Sequence, residues 1–125
     1  MALKDVRILI VDDEAFYRNA LRDILGRIGF TVVAEAADGR EAVRMYLAHR
    51  PHITIMDVYM PGKNGIDATR EMIALDKNAN VLTSSASDCD SDTAAVLKVG
   101  AKGIVKKPFE PREIYELIKT VLRGH

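Results

Sequence analysis

Short apolar runs alternate along the chain with longer segments in which apolar residues recur at helical spacing. The run at residues 6–11 is almost wholly apolar, which is typical of a strand that is buried on both faces. Runs of the same kind predict four further strands, at residues 31–36, 53–56, 81–85 and 103–105.

The segments between these strands predict helices. The first helix ends at Gly29, the second covers residues 41–49 before Pro51, and the fourth ends near Gly100 after a Ser/Asp-rich loop at residues 84–92. The last segment has the clearest amphipathic pattern. The inward-facing positions predicted for the first, second, third and last helices are Leu21, Ile24, Leu25 and Ile28; Val43, Tyr46 and Leu47; Ile66, Thr69, Met72 and Ile73; and Ile114, Leu117, Ile118, Val121 and Leu122.

Strand and helix alternate to the C-terminus, which predicts an α/β fold with a parallel sheet covered by helices on both faces. Right-handed crossovers follow from the general rule for such units. No linker, internal repeat or low-complexity segment interrupts the pattern. Because 125 residues suit a single core, residues 1–125 are expected to form one domain.

The charges balance, with 18 lysines and arginines against 18 aspartates and glutamates. Direct nucleic-acid binding is not expected, since there is no net field to attract a polyanion. Cys89 is the single cysteine, which excludes an internal disulfide and a cysteine-based metal cluster. A signal-peptide pattern is absent, and no apolar stretch approaches the ~20 residues that cross a bilayer. A cytoplasmic protein without membrane insertion is therefore expected.

Polar groups follow four of the five predicted strands, at the edge where open parallel sheets bind their ligands. The second strand is followed by an ordinary turn. In chain order, the polar groups are Asp12-Asp13-Glu14, Asp57, Ser85 and Lys106-Lys107-Pro108.

These residue types suggest phosphoryl chemistry. Clustered carboxylates cannot all stay ionised without a counter-charge, and Mg²⁺ suits a site whose ligands are all oxygens. A carboxylate can also act as a nucleophile and carry a phosphoryl group as an acyl phosphate. A lysine and a hydroxyl would then hold phosphoryl oxygens, because such transfer depends on positioning and charge stabilisation.

Each residue has a simpler interpretation when it is taken alone. Asp12 or Asp13 would be the N-cap of the first helix, and Asp57 a turn residue. Ser85 would be a strand-end hydroxyl, and Lys107 a solvated surface lysine. Their joint placement at successive strand ends favours the site.

The motifs resemble those of the receiver domains of bacterial two-component response regulators, single-domain chemotaxis regulators included. The likeness runs from about Val6 to the last helix. It implies a flavodoxin-like, doubly wound sheet of five parallel strands in the order 2-1-3-4-5, with five helices. The motifs that carry it are Asp12-Asp13-Glu14, Asp57-Val58-Tyr59-Met60-Pro61-Gly62-Lys63-Asn64-Gly65, Ser85-Ala86 and Lys107-Pro108-Phe109.

The resemblance also implies roles. Asp57 would take a phosphoryl group from the phosphohistidine of a sensor histidine kinase or phosphotransfer protein, and would lose it by hydrolysis in time. Mg²⁺ would be held by Asp12, directly or through water, with Asp13, Asp57 and the backbone carbonyl of Tyr59. The protein would be no turnover enzyme, since it would catalyse only its own phosphorylation and dephosphorylation.

Further features implied by the resemblance concern the rest of the site. Lys107 and the hydroxyl of Ser85 would each hold a phosphoryl oxygen. The Lys107–Pro108 bond would be cis, which an X-Pro bond permits at modest cost. Gly62 and Gly65 would let the loop after the acceptor turn tightly.

Some positions bear on output and lifetime. Ile104 stands where many members of the family have an aromatic ring that swings inward, and Ser85 stands where threonine is commoner. Tyr59 and Ser87 would flank the path of the hydrolytic water, with Tyr59 shielding the acyl phosphate. Cys89 is interpreted as a bystander thiol rather than a redox sensor, because no nearby cation lowers its pKa.

The resemblance places the partner-binding face on the fourth helix, fifth strand and fifth helix. A downstream target protein would bind there, or a phosphorylation-dependent homodimer would form there. Whether the chain stands alone or is cut from a longer regulator stays open.

A haloacid-dehalogenase-type phosphatase is disfavoured because the expected nucleophile follows the third strand. A flavin-binding module is disfavoured because Asp12-Asp13-Glu14 would repel a phosphate. The strongest alternative is a pseudo-receiver that serves only as an interaction surface.

Overall fold

The fold is a parallel sheet covered by helices on both faces. The computed structural model describes residues 2–60, 62, 64–85 and 90–123. Of residues 90–92 it describes only the backbone. The strand order is β2-β1-β3-β4-β5, and the described residues hold five strands. This confirms the flavodoxin-like order 2-1-3-4-5. The strands are β1 (Arg7–Val11), β2 (Thr31–Ala36), β3 (Ile53–Asp57), β4 (Val81–Ser85) and β5 (Gly103–Lys106).

The helices form two layers, one on each face of the sheet. The layer with α1 and α5 packs on a cluster that includes Ile8, Ile10 and Ile55. The opposite layer, with α2 and α3, packs on the alternate strand positions, such as Leu9, Val11 and Met56. The helices are α1 (Ala15–Ile28), α2 (Gly39–His49), α3 (Gly65–Leu75), α4 (Asp90–Lys98) and α5 (Pro111–Arg123), after a 3-10 turn at Leu3–Asp5.

Both faces of the central strands are therefore buried, as the unbroken apolar run at the start of the chain predicts. Ile8, Leu9 and Ile10 are each fully buried, although successive side chains point to opposite faces. Among the described residues, none of the helices combines the length and apolar character that a membrane span requires.

Two predictions about local structure were wrong. Leu47 was expected to face inward, but the residue is 41% exposed. The buried face of α2 is centred on Ala42, Val43 and Tyr46, and Leu47 lies a quarter-turn beyond that centre. The loop was expected at residues 84–92, but Ser84 and Ser85 belong to β4, where Ser85 pairs with Lys106 of β5. Residues 90–92 belong to α4, which begins at Asp90, and residues 86–89 lie outside the described residues.

The loop after β3 needs glycine at two positions for different reasons. Gly62 has a φ of +75°, a left-handed conformation that other residues rarely adopt. Gly65, the first residue of α3, has no such backbone. A Cβ added there would lie 1.9 Å from the carbonyl oxygen of Asp57. The Gly65 N–H donates to the Val58 carbonyl at 2.9 Å, which holds the helix start against the end of β3. Pro61 and Lys63 of this motif lie outside the described residues.

Gly65→Ala is expected to lower the free energy of unfolding by roughly 2–3 kcal/mol, because the methyl group would meet backbone that cannot move aside. The matched control is Gly26→Ala in α1, where an added Cβ meets nothing within 4 Å. That change should raise the free energy of unfolding by ~0.5–1 kcal/mol through helix propensity. Urea denaturation of both variants measures the difference, and a Gly65→Ala protein as stable as wild type would contradict the close approach.

Candidate functional site

Two aspartates are brought together by the pairing of neighbouring strands. Asp12 directly follows β1, and Asp57 is the last residue of β3. Because Val11 is in register with Met56, the next residue of each strand falls at the same edge of the sheet. Asp12, Asp13 and Asp57 each present one carboxylate oxygen, and these oxygens lie within 4.8 Å of one another. The strand order reverses between β1 and β3, which is where such sheets form a crevice.

Asp12 makes three polar contacts with other residues. Its Oδ1 accepts a hydrogen bond from the Glu14 N–H at 2.9 Å, and its Oδ2 lies 2.9 Å from the Nζ of Lys107. Its backbone carbonyl accepts a hydrogen bond from the Arg18 guanidinium at 2.6 Å. The N-cap of α1 is Glu14, so the simpler interpretation of Asp12 or Asp13 as that N-cap is wrong.

Lys107 directly follows β5, the outermost strand on one side of the sheet, and its side chain reaches the aspartates at the carboxyl ends of β1 and β3. Its Nζ lies 3.5 Å from the Oδ1 of Asp57, in addition to its ion pair with Asp12. The side chain is only 8% exposed, so the interpretation of Lys107 as a solvated surface lysine is wrong. The Lys107–Pro108 peptide bond is cis, as the resemblance implied.

Ser85 and Tyr59 border the cluster. Ser85 is buried at the end of β4, and its carbonyl accepts a hydrogen bond from the Lys107 N–H at 3.2 Å. The backbone of Tyr59 hydrogen-bonds to the carboxylate of Asp57, and the residue as a whole is 55% exposed. The remaining predicted positions in the loop after β4, Ser87 and Cys89, lie outside the described residues.

One aromatic residue beside the site was missed in the sequence. The Nζ of Lys107 lies 3.9 Å from the centroid of the Tyr17 ring. The available signal was position, since Tyr17 lies in the first turn of the helix that follows Asp12-Asp13-Glu14. Nothing in the sequence tells which residue that ring would face.

Burial and like charge dominate the electrostatics of the site. Burial, reinforced by the charge of Asp12, raises the pKa of Asp57 to about 7, against the smaller opposing effects of Lys107 and the Tyr59 backbone. Burial alone would lower the pKa of Lys107, but its hydrogen bond to Asp12 and the charges of both aspartates raise it overall. One ammonium thus does not offset the negative charge of the cluster.

The donor set fits a hard divalent cation. Three carboxylates offer oxygen ligands at one point, two of them buried and Asp13 exposed to solvent. Mg²⁺ prefers oxygen ligands and keeps several waters, which suits a cluster that is open on one side. A cation would also supply the positive charge that Lys107 alone does not.

The chain matches known proteins over nearly its whole length. Residues 8–119 match the model of the response regulator receiver domain. The chemotaxis protein CheY of Thermotoga maritima is 43% identical, over 92% of this chain and 96% of that protein.

Solved structures agree. A two-component response regulator of the LuxR family from an Aurantimonas species is 37% identical with a TM-score of 0.89, over 95% of this chain and 86% of that one. The CheX–CheY complex with BeF3 and Mg²⁺ from Borrelia burgdorferi gives 33% identity and a TM-score of 0.88, over 93% and 88%. The chain therefore belongs to the receiver domains of response regulators.

Proposed function

We propose that the chain, over residues 1–125, is a phosphoryl-accepting switch in which Asp57 takes the phosphoryl group from a phosphohistidine. The observation that supports this best is the buried carboxylate of Asp57, 3.5 Å from the ammonium of Lys107 and beside two further aspartates. A carboxylate held in one position next to a cation is suited to nucleophilic attack on phosphorus.

In the proposed transfer, a carboxylate oxygen of Asp57 forms a bond to phosphorus while the phosphorus–nitrogen bond of the phosphohistidine breaks. The electron pair of that bond returns to the imidazole nitrogen, and the product is an acyl phosphate. Lys107 exchanges part of its contact with Asp12 for a phosphoryl oxygen. The hydroxyl of Ser85, at the end of the neighbouring strand, donates to another phosphoryl oxygen.

Asp12, Asp13 and Asp57 would hold Mg²⁺, together with the backbone carbonyl of Tyr59. When bound, Mg²⁺ supplies the positive charge that offsets both the clustered carboxylates and the incoming phosphoryl oxygens. The Mg²⁺ in the Borrelia burgdorferi complex supports this assignment by likeness.

The proposed partners are a sensor histidine kinase or phosphotransfer protein as donor and a target protein on the face of α4, β5 and α5. Ile104 of β5 lies at that face and packs against a small cluster of Val58, Val96 and Ala101. Since isoleucine has no ring, the switch would operate through repacking of this cluster rather than through an aromatic swing.

Incubation with Mg²⁺ and acetyl phosphate is expected to add one phosphoryl group, detected by intact mass. The adduct should require Mg²⁺, disappear with time and be absent from Asp57→Asn, which keeps the shape of the side chain but loses the nucleophile. An adduct that persists in Asp57→Asn would contradict the assignment of the acceptor. Folded wild type that takes no phosphoryl group, from acetyl phosphate or from any kinase, would favour a pseudo-receiver instead.

Tyr59→Ala is expected to speed loss of the phosphoryl group several-fold, since the ring two residues after Asp57 would no longer shield the acyl phosphate from water. The exposed ring stands beside a backbone that is hydrogen-bonded to the acceptor. The decay of phosphorylated protein, followed by mass after removal of the donor, gives the rate. Tyr59→Phe is the control and should decay like wild type; an unchanged rate in Tyr59→Ala rules out shielding.

Metal-free protein is expected to lose stability as the pH rises from about 4 to about 7. The folded state holds the proton of Asp57 with a pKa of about 7 against an ordinary 3.8, so it binds more protons than the unfolded state in this window. Relative to Asp57→Asn, wild type should lose roughly 2–4 kcal/mol of unfolding free energy across it.

Urea denaturation in a chelator at pH 4, 6 and 8 measures this loss. The exposed Asp23→Asn on α1 controls for removal of one negative charge. Added Mg²⁺ should restore most of the stability at pH 8 and little at pH 4, because the cation binds the ionised carboxylates. A wild-type difference from Asp57→Asn that is the same at all three pH values would disprove the raised pKa.

A further inference from the structure

We propose that Tyr17 is a positioning residue for Lys107. The face of the Tyr17 ring holds the ammonium of Lys107 against Asp12 and Asp57. This inference rests on the proposed function, because it assigns to Tyr17 a part in the phosphoryl transfer to Asp57. It assigns no direct contact between Tyr17 and the phosphoryl group.

The ammonium of Lys107 contacts two kinds of group. It lies 2.9 Å from the carboxylate of Asp12 and 3.5 Å from that of Asp57. It also lies 3.9 Å from the centroid of the Tyr17 ring, well inside the ~6 Å range of a cation–π contact. The electron-rich ring face attracts the cation without competing for it as a further carboxylate would.

The ring of Tyr17 contacts two neighbouring aromatic side chains. Phe109 meets Tyr17 edge-on, with centroids 5.9 Å apart and planes at 80°. Phe16 meets it in the same manner at 5.2 Å and 84°. Because Phe109 belongs to the loop that carries Lys107, the contact ties the start of α1 to the segment after β5.

Lysine needs such a support more than most residues do. Its charge is a compact ammonium on a flexible four-carbon stem, and fixing that stem costs rotamer entropy. Phosphoryl transfer depends on where the charge stands, so an ammonium that samples several positions stabilises the transferred group less well. A ring that restricts the ammonium to one position therefore raises the rate of transfer without touching the reacting atoms.

Tyr17→Leu, Tyr17→Met and Tyr17→Phe test this inference, each in wild-type and in Lys107→Ala protein, with thermal unfolding to verify the fold. The rate of phosphorylation by acetyl phosphate and Mg²⁺ is measured by mass. Leu and Met are expected to slow wild type roughly tenfold, the change that a loss of about 1.4 kcal/mol gives. Phe, which keeps the ring face, should change it less than twofold. In Lys107→Ala none of the three should slow the reaction further.

A second readout does not involve activity. In metal-free protein, the ring should move the NMR signals of the Lys107 Cε protons upfield, and this shift should be kept in Tyr17→Phe and lost in Tyr17→Leu and Tyr17→Met. Retention of the shift in folded Tyr17→Leu would overturn the contact.

The kinetic outcomes separate this inference from the proposed function. Leu and Met variants that react at the wild-type rate, or that slow Lys107→Ala equally, would overturn the positioning role while the acceptor role of Asp57 stands. A wild-type protein that takes no phosphoryl group would overturn the proposed function and, with it, the part of Tyr17 in the transfer.

Discussion

The burial of two like-charged carboxylates beside each other is the constraint on which the rest of the site depends. Asp12 and Asp57 are 3% and 4% exposed, and the pairing of β1 with β3 holds them at one edge of the sheet. In water they would separate, but the strand ladder does not allow it. Their charge must then be met by a proton, by Lys107 or by a metal ion. The state of the site would depend on which of these three offsets the negative charge.

The hydrophobic layers make this arrangement tolerable. Strands β1 and β3 are buried on both faces, and the clusters on either side contain most of the large apolar side chains of the described core. A sheet held this firmly can keep charged groups at its edge in an unfavourable arrangement. Gly65 adds to the rigidity, because its lack of a side chain lets α3 start directly against the backbone of Asp57.

The smallest of the clusters connects the site to the proposed output face. Val58 follows the acceptor directly, and it packs with Val96 of α4 and with Ile104 of β5. A change in the position of the Asp57 backbone would therefore reach α4 and β5 through few side chains. A small cluster is also easier to repack than either main layer, since fewer contacts must be exchanged.

Local patterns in the sequence determined the secondary structure and the strand-end positions of Asp12, Asp57, Ser85 and Lys107. Burial on both faces and helical spacing are local properties, and the motifs were specific enough to indicate the family. Only the tertiary structure decided that Leu47 stays exposed, that Gly65 is needed for space rather than for its backbone angle, and that Tyr17 faces Lys107. The physical reason is that these contacts join residues from separate elements. Their distances follow from how helices pack on the sheet, which no local pattern records.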